Sequence, residues 1–458
     1  MIPRRTARLV LAGIILLYLG IGALYALNTP PWQSPDEPAH YNYIAQIAGE
    51  GCCPVIAPGD WDAAYLSELT TEQFPEEADL SPLEYEDHQP PLYYLLLSVV
   101  YGLTGGSLLA LRLATLVLGA GVVLLTYATI ARLFPVRLTL ALGAAAFVAF
   151  IPQHLSVLAS VNNDALAELV LAALLAVSTA YLGNPVLPDA GGEPRPATRR
   201  PRPALLGLLA GLAFLTKLTV YAPAVLVVAL ALVIRWRAER RSFGWFAGQA
   251  AWAAGLALAL GALWWARNAV VYGWPDIFAQ AAHEAAVVGQ LRTADLIAEI
   301  GAGPYALRLL TTTFHSFFGQ FGWMAVPMSP RVYLVVGLFL AGTLAGLALL
   351  PTALPEVTLA TPRRAMLAIL GALAVLVLLQ FAYYNLTFVQ HQGRYLYPAL
   401  VPLGLAVTAG WWGWSRWLAA RLPEHWKPVL RWLPAAVMAF WPALAVYALF
   451  RILIPNLG

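Results

Sequence analysis

The stretch "LLALRLATLVLGAGVVLLTYATIA" runs from Leu108 to Ala131 and is followed at once by Arg132. As a helix rising about 1.5 Å per residue, it covers the roughly 30 Å hydrocarbon core of a bilayer. Runs of the same kind recur at about 9–27, 138–153, 165–182, 204–217, 219–234, 244–265, 331–350, 365–386, 397–415 and 432–453. The expectation is an all-α polytopic membrane protein of eleven spans. Composition agrees: 60% of the 458 residues are hydrophobic and 11% charged, against about 25% charged in a soluble domain. Sixteen Trp and twenty Tyr suit aromatic belts at the two interfaces. Residues 9–27 read as a retained first span, because no small-residue cleavage site separates them from Asn28-Thr29-Pro30-Pro31-Trp32.

Arginines set the expected topology. Arg4-Arg5-Arg8, Arg132 to Arg137, Arg195 to Arg202, Arg235 to Arg241, Arg363-Arg364 and Arg416 through Arg431 mark cytoplasmic segments. That puts the N-terminus inside. Pro90 to Leu103 is apolar but too short to cross, so it is expected as a juxtamembrane helix in the first outer loop, 28–107. A second large outer loop covers 266–330. Residues 184–203, rich in Pro, Gly and Arg, read as a disordered cytoplasmic linker. The chain is expected to form one membrane-embedded domain with no large soluble domain. Cys52 and Cys53 are adjacent and are expected to remain separate thiols, since a disulfide wants its Cα atoms further apart.

With this topology the unusual polar residues gather outside. In "TPPWQSPDEPAHYNYIAQI" (29–47), Asp36 and His40 are four apart and Glu37 adjoins Asp36. Neighbouring carboxylates raise one another's pKa, which suits a general base; the rival reading is a helix cap. "EYEDHQPPLYYLL" carries His88 and Gln89 before a rigid Pro-Pro. "ASVNNDALAE" sets Asn162, Asn163 and Asp164 at the outer end of a span, where polar groups are costly and point to function, although an asparagine cap is the alternative. Lys217 in "FLTKLTVYAP" either snorkels or meets a phosphate. Arg267 and Asn268 in "WWARNAVVYGWP", and Gln392, Arg394 and Tyr395 in "VQHQGRYLYP", bring arginines outside against the charge rule. An anionic partner is then expected, because a guanidinium fork fits phosphate oxygens. His315 and Gln320, in "TFHSFFGQFGWMAVP", fit either a carbohydrate- or prenyl-binding wall or an interfacial belt.

No phosphate-binding loop ending in Lys-Ser or Lys-Thr occurs, which argues against an ATP-driven pump, and no His-Glu-x-x-His argues for a zinc protease. The net charge of +3 matters less than where the arginines sit, and no nucleic-acid partner is expected.

Asp-Glu-Pro-x-His after the first span, "HQPPLYYLL", "NND", "LTK", "RNxxxYGxP" and "QGRYLYP", in this order, resemble bacterial polytopic glycosyltransferases of the GT-C superfamily. The resemblance is to the phospholipid-carrier-dependent, dolichyl-phosphate-mannose-protein-mannosyltransferase-like set, related to protein O-mannosyltransferases and lipid A aminoarabinose transferases. It implies a GT-C helical bundle in the plasma (inner) membrane with an extracytoplasmic active site. It also implies inverting transfer from a polyprenyl-phosphate sugar to an acceptor hydroxyl on a protein, lipid or glycan, among membrane lipids. Asp36 matches the family's base, Glu37 its acidic neighbour and Asp164 the second acid. Gln89 stands where aminoarabinose transferases carry a basic residue, which shifts the phosphate clamp to Arg394 with Lys217 or Arg267. No cofactor is certain; a divalent metal ion, if used, would fall to Asp36, Glu37, His40 and Asp164. The alternative is a transporter or flippase of a lipid-linked sugar. Such proteins place their site near the midplane, often between repeats, and no repeat is visible here.

Overall fold

The computed structural model describes residues 2–183, 201–353 and 361–457. Most of the linker expected at 184–203 lies outside the described residues. Among those described, sheet is confined to a hairpin pairing Gln320–Phe321 with Val326–Pro327 and one isolated bridge, Arg292 to Phe388. The rest is helix and connection.

Among the described residues, eight helices are long and apolar enough to cross a membrane: Arg4–Asn28, Leu108–Leu133, Asp164–Leu182, Leu218–Ala238, Phe243–Val271, Pro330–Leu350, Pro362–Thr387 and Glu424–Leu457. Each corresponds to an expected span. The other three expected spans differ. Residues 138–153 form Leu138–Phe150, which bends by 67° into Pro152–Leu158. Pro152 cannot donate to the preceding turn, and Ile151 is extended. Residues 204–217 give Pro203–Phe214, only 12 residues long. The 397–415 span divides into a 3-10 turn, Gly393–Ala399, and the helix Leu400–Ala419. Leu92–Thr104 is a separate 13-residue helix, where a juxtamembrane helix was expected.

Leu138–Phe150 is the centre of the bundle, with every residue buried. It packs against Leu108–Leu133 on one side and Leu400–Ala419 on the other. In hydrocarbon, close backbone approach replaces the hydrophobic drive between helices. Gly346 accordingly lies against Gly410 and Gly413, where an added Cβ would strike backbone.

The two long connections meet at one end of the bundle. A small apolar cluster of Ala39, Leu66, Leu69, Phe74, Leu83, Tyr85 and Val287 joins them, flanked by Trp32, Trp61 and Trp323. Trp61 Nε1 donates to Val288 O at 3.2 Å, and Trp323 Nε1 to Trp32 O at 2.9 Å. Arg267 reaches the first connection through Cys53 O at 3.0 Å and also bonds Pro54 O. Cys52 and Cys53 are joined to each other across a cis peptide, contrary to the expected separate thiols. The arginine-rich segments gather at the other end: Arg363 Nε donates to Leu133 O at 2.7 Å, and Arg235 lies 4.3 Å from the Tyr181 ring centre.

Candidate active site

The sequence Ser34-Pro35-Asp36-Glu37-Pro38 turns the chain from the first helix into Glu37–Glu50. Asp36 takes the left-handed region at φ 66°, which aspartate tolerates better than most residues. It occupies the position before the helix, yet its side chain makes no capping hydrogen bond. The cap reading therefore fails. Its carboxylate instead receives Nη2 of Arg394 and the Tyr85 hydroxyl, the latter at 3.1 Å.

Glu37 faces the opposite way and is 0% exposed. Arg112 donates Nε to Oε1 at 2.8 Å and Nη2 to Oε2 at 2.5 Å. The backbone N–H groups of Val161 and Trp32 fill the remaining positions at 3.1 and 3.2 Å. Arg112 also donates to Ala26 O, Thr29 O and Pro30 O. This buried pair is fully hydrogen-bonded, the condition under which such pairs are tolerated. Glu37, expected beside Asp36 in the chemistry, instead fastens the connection that presents Asp36.

His40 is buried, with Nδ1 2.9 Å from the Tyr94 hydroxyl. Asn163 Nδ2 donates to that same hydroxyl at 3.1 Å. Burial pushes the His40 pKa down to about 3, despite Asp36 nearby, so the ring is neutral near pH 7. Glu86 Oε2 lies 4.0 Å from His40 Nδ1. Burial, reinforced by the Asp36 charge, pushes Glu86 up to about 8, which keeps it mostly protonated at neutral pH. Burial also works to raise Asp36, but Arg394 outweighs it and holds the carboxyl below its ordinary value. Arg394 is held well above its ordinary value: burial opposes its charge, and Asp36 more than compensates.

A second acid–cation pair completes the cluster. Asp164 begins the Asp164–Leu182 helix, and Lys217 Nζ donates to its Oδ1 at 2.6 Å. Lys217 arrives here because the chain breaks between Pro203–Phe214 and the 3-10 turn Leu218–Val220, leaving it extended. Asn162 Oδ1 accepts the Asp164 N–H at 2.8 Å, so Asn162 supports the helix start. Asp164 lies in the field of both Lys217 and Arg394. The two pairs thus form one group around His40.

The remaining expected residues divide. His88 and Gln89 adjoin the cluster: His88 Nδ1 bonds Tyr85 O at 3.0 Å, and its ring lies 4.2 Å from that of His283. Gln89 Nε2 lies 3.2 Å from His88 Nε2, and its Oε1 is buried without a partner. The Tyr395 ring centre is 5.7 Å from the Arg394 guanidinium, and Gln392 is half-buried beside it. Arg267, Asn268, His315 and Gln320 take other duties. Arg267 ties the two connections, and Asn268 Nδ2 bonds Ile277 O at 3.0 Å. His315 stacks on Tyr333 at 3.7 Å, while Gln320 bonds Gln153 and Met324 to hold the hairpin.

For a metal ion, Asp36, Glu37 and Asp164 each already face a cationic side chain. Among the described residues, the acids whose ligand atoms lie within 4.8 Å of one another are Asp60, Glu84 and Asp87, none of them in the expected set. Burial pushes Asp87 up to about 8.

A family model matches residues 54–403. The chain belongs to the predicted membrane proteins of the DUF2142 family. The matched part of this DUF2142 chain holds Glu86, Arg112, Asp164, Lys217 and Arg394, and begins after Asp36 and His40. No curated protein matches. The chain is similar in structure to the crystal structure of ArnT from Cupriavidus metallidurans bound to undecaprenyl phosphate. That likeness has a TM-score of 0.50 at 17% identity and covers 97% of this chain and 74% of that one. The DUF2142 chain therefore shares the helical-bundle fold of that structure.

Tyr85, Glu86, Tyr94 and Arg112 belong to this site and were missed in the sequence. Two signals were available. Glu86 sits inside the quoted "EYEDHQPPLYYLL", and Arg112 is a charge inside an apolar span, which marks function or a buried partner.

Proposed function

We propose that the chain is a glycosyltransferase that takes its sugar from a polyprenyl-phosphate donor, with Asp36 as general base. The supporting observation is the pair of acid–cation contacts, Asp36–Arg394 and Asp164–Lys217, around a neutral buried His40. They occur in a bundle similar to an ArnT structure that holds undecaprenyl phosphate.

The donor phosphate brings negative charge to Arg394 and Lys217. These cations then share their hydrogen bonds between phosphate and carboxylate, which loosens their hold on Asp36 and restores its basicity. The acceptor hydroxyl gives its proton to Asp36 as its oxygen bonds the anomeric carbon. The bond from that carbon to the phosphate oxygen breaks, and polyprenyl phosphate leaves with the electron pair. Arg394 and Lys217 stabilise the charge growing on the leaving group in a site of low dielectric. Glu86, protonated at neutral pH, offers an O–H donor beside Asp36. Glu37 with Arg112 holds the base in position.

The site faces the extracytoplasmic side of the plasma membrane, with the N-terminus in the cytoplasm. Labelling of single cysteines in 266–330 from outside intact cells tests this orientation. For the activity, purified protein is incubated with undecaprenyl-phosphate sugars and candidate acceptors, and products are read by mass spectrometry. Donor cleavage that disappears in Asp36→Asn supports the transferase. A flippase would move the donor across reconstituted vesicles without cleaving it.

A further inference from the structure

At the end of the bundle away from Asp36, Arg137, Arg416, Lys427 and Arg431 line a cavity of about 470 Å³. Arg137 comes from the turn before Leu138–Phe150, and Arg416 from the last turn of Leu400–Ala419. Lys427 and Arg431 come from the short helical turns that follow. Leu400–Ala419 separates the two ends of the molecule: Arg394 precedes its start, and Arg416 lies about 24 Å further along at about 1.5 Å per residue.

Among the described residues, no Asp or Glu lines this cavity. Glu424 reaches Lys427, but it is 84% exposed, and an open pair of that kind contributes little. The Arg137 guanidinium has no carboxylate partner among the described residues. It lies 4.5 Å from the Trp412 ring centre. Burial, with Arg416 and Arg363 nearby, presses its pKa below the usual value. The arginines at the end of Leu218–Ala238 differ: Arg235 and Arg241 share Glu239 at 3.2 and 3.1 Å. Arginines serving only to orient the chain need exposure at a helix end, not a common cavity.

We propose that this cavity is a phosphate-binding site, independent of the transferase reading. A phosphate monoester or diester would relieve the crowding of like charge. The Arg137 and Arg416 forks fit its oxygens in pairs, which a point charge does not match. Val136, Leu138 and Leu430 line the same space and suit the apolar part of a lipid whose headgroup supplies the phosphate. Basic pockets at helix ends bind anionic lipid headgroups in this manner.

The test uses the full-length protein with phosphatidylglycerol, phosphatidylcholine and inorganic phosphate as probes, with lipid retention read by native mass spectrometry. The wild type is expected to keep phosphatidylglycerol about tenfold better than phosphatidylcholine, as an anionic headgroup predicts. Arg137→Gln/Arg416→Gln should erase that preference, whereas the charge-matched Arg237→Gln/Arg240→Gln, away from the cavity, should keep it. If the double variant fails to fold by size exclusion and thermal melting, the exposed single variant Arg416→Gln gives the same reading at smaller amplitude. Binding of inorganic phosphate that depends on Arg137, without any lipid preference, would assign the site to a soluble phosphate. Equal retention of both lipids with no phosphate binding, or a preference unchanged in the cavity variants, would overturn the proposal.

Discussion

The two ends of this bundle treat charge in opposite ways. At one end Arg394 and Lys217 each meet a carboxylate, and a third cation, Arg112, meets Glu37. At the other, Arg137 and its cationic neighbours face a cavity that no acid lines among the described residues. The first arrangement is neutral before any ligand arrives, so a ligand must compete for cations already in use. In the proposed reaction, competition of that kind links binding of the donor phosphate to release of a carboxylate. Within the first end, Asp36 and Glu37 repeat the contrast one residue apart. Asp36 is 20% exposed and held chiefly by side chains that a ligand can draw away. Glu37 is sealed by a guanidinium and two backbone N–H groups.

That difference can be broken by substitution. With Asp36 as the proposed base, Asp36→Asn is expected to lower transfer about 10³-fold while the protein stays folded, since an amide cannot take the acceptor proton. Turnover within a few-fold of wild type in donor-cleavage kinetics would remove Asp36 from the chemistry. Arg112→Met attacks the neighbouring carboxylate instead. It leaves Glu37 buried without its counter-ion and should destabilise the fold by about 3–5 kcal/mol. The thermal midpoint in detergent should fall sharply; a midpoint that holds would show the pair to be dispensable.

Arg394→Lys should lose roughly 10–100-fold in turnover, because an ammonium keeps the charge but not the two-pronged contact proposed with the donor phosphate. Unchanged turnover and donor affinity would leave Arg394 only its contact with Asp36. The smallest expected effect is a pH dependence. With its folded pKa near 8 and an unfolded value near 4.3, Glu86 binds more protons in the folded state across that window. Stability from this group is complete below about pH 4 and declines as pH rises towards 8. Glu86→Gln should therefore gain thermal stability relative to wild type as pH rises through this range. Parallel stability–pH curves for the two proteins would contradict a buried, protonated Glu86.

The membrane class and most helices were legible in the sequence, because a lipid solvent imposes length and apolarity on each spanning segment locally. Ends and breaks were not. The 12-residue Pro203–Phe214 helix looked like a full span, since the apolar run continues to Leu215 and only three-dimensional placement turns Lys217 towards Asp164.

Asp36, His40, Asp164, Lys217 and Arg394 could be named from the sequence because charged or polar residues beside apolar spans are conspicuous. Their pairing could not, since Asp36 and Arg394 are brought together across almost the whole chain. Nor could adjacency separate Asp36 from Glu37. A left-handed Asp36 turns two neighbouring carboxylates towards different partners, and Arg112 selects Glu37 from within another helix. Arg267 had the same sequence signal as Arg394, yet it ties two connections together. The sequence by itself determined where charge enters an apolar protein. Which charges face each other was decided by the packing of helices, because a buried ion is stabilised only by the partner that the fold brings within hydrogen-bonding distance.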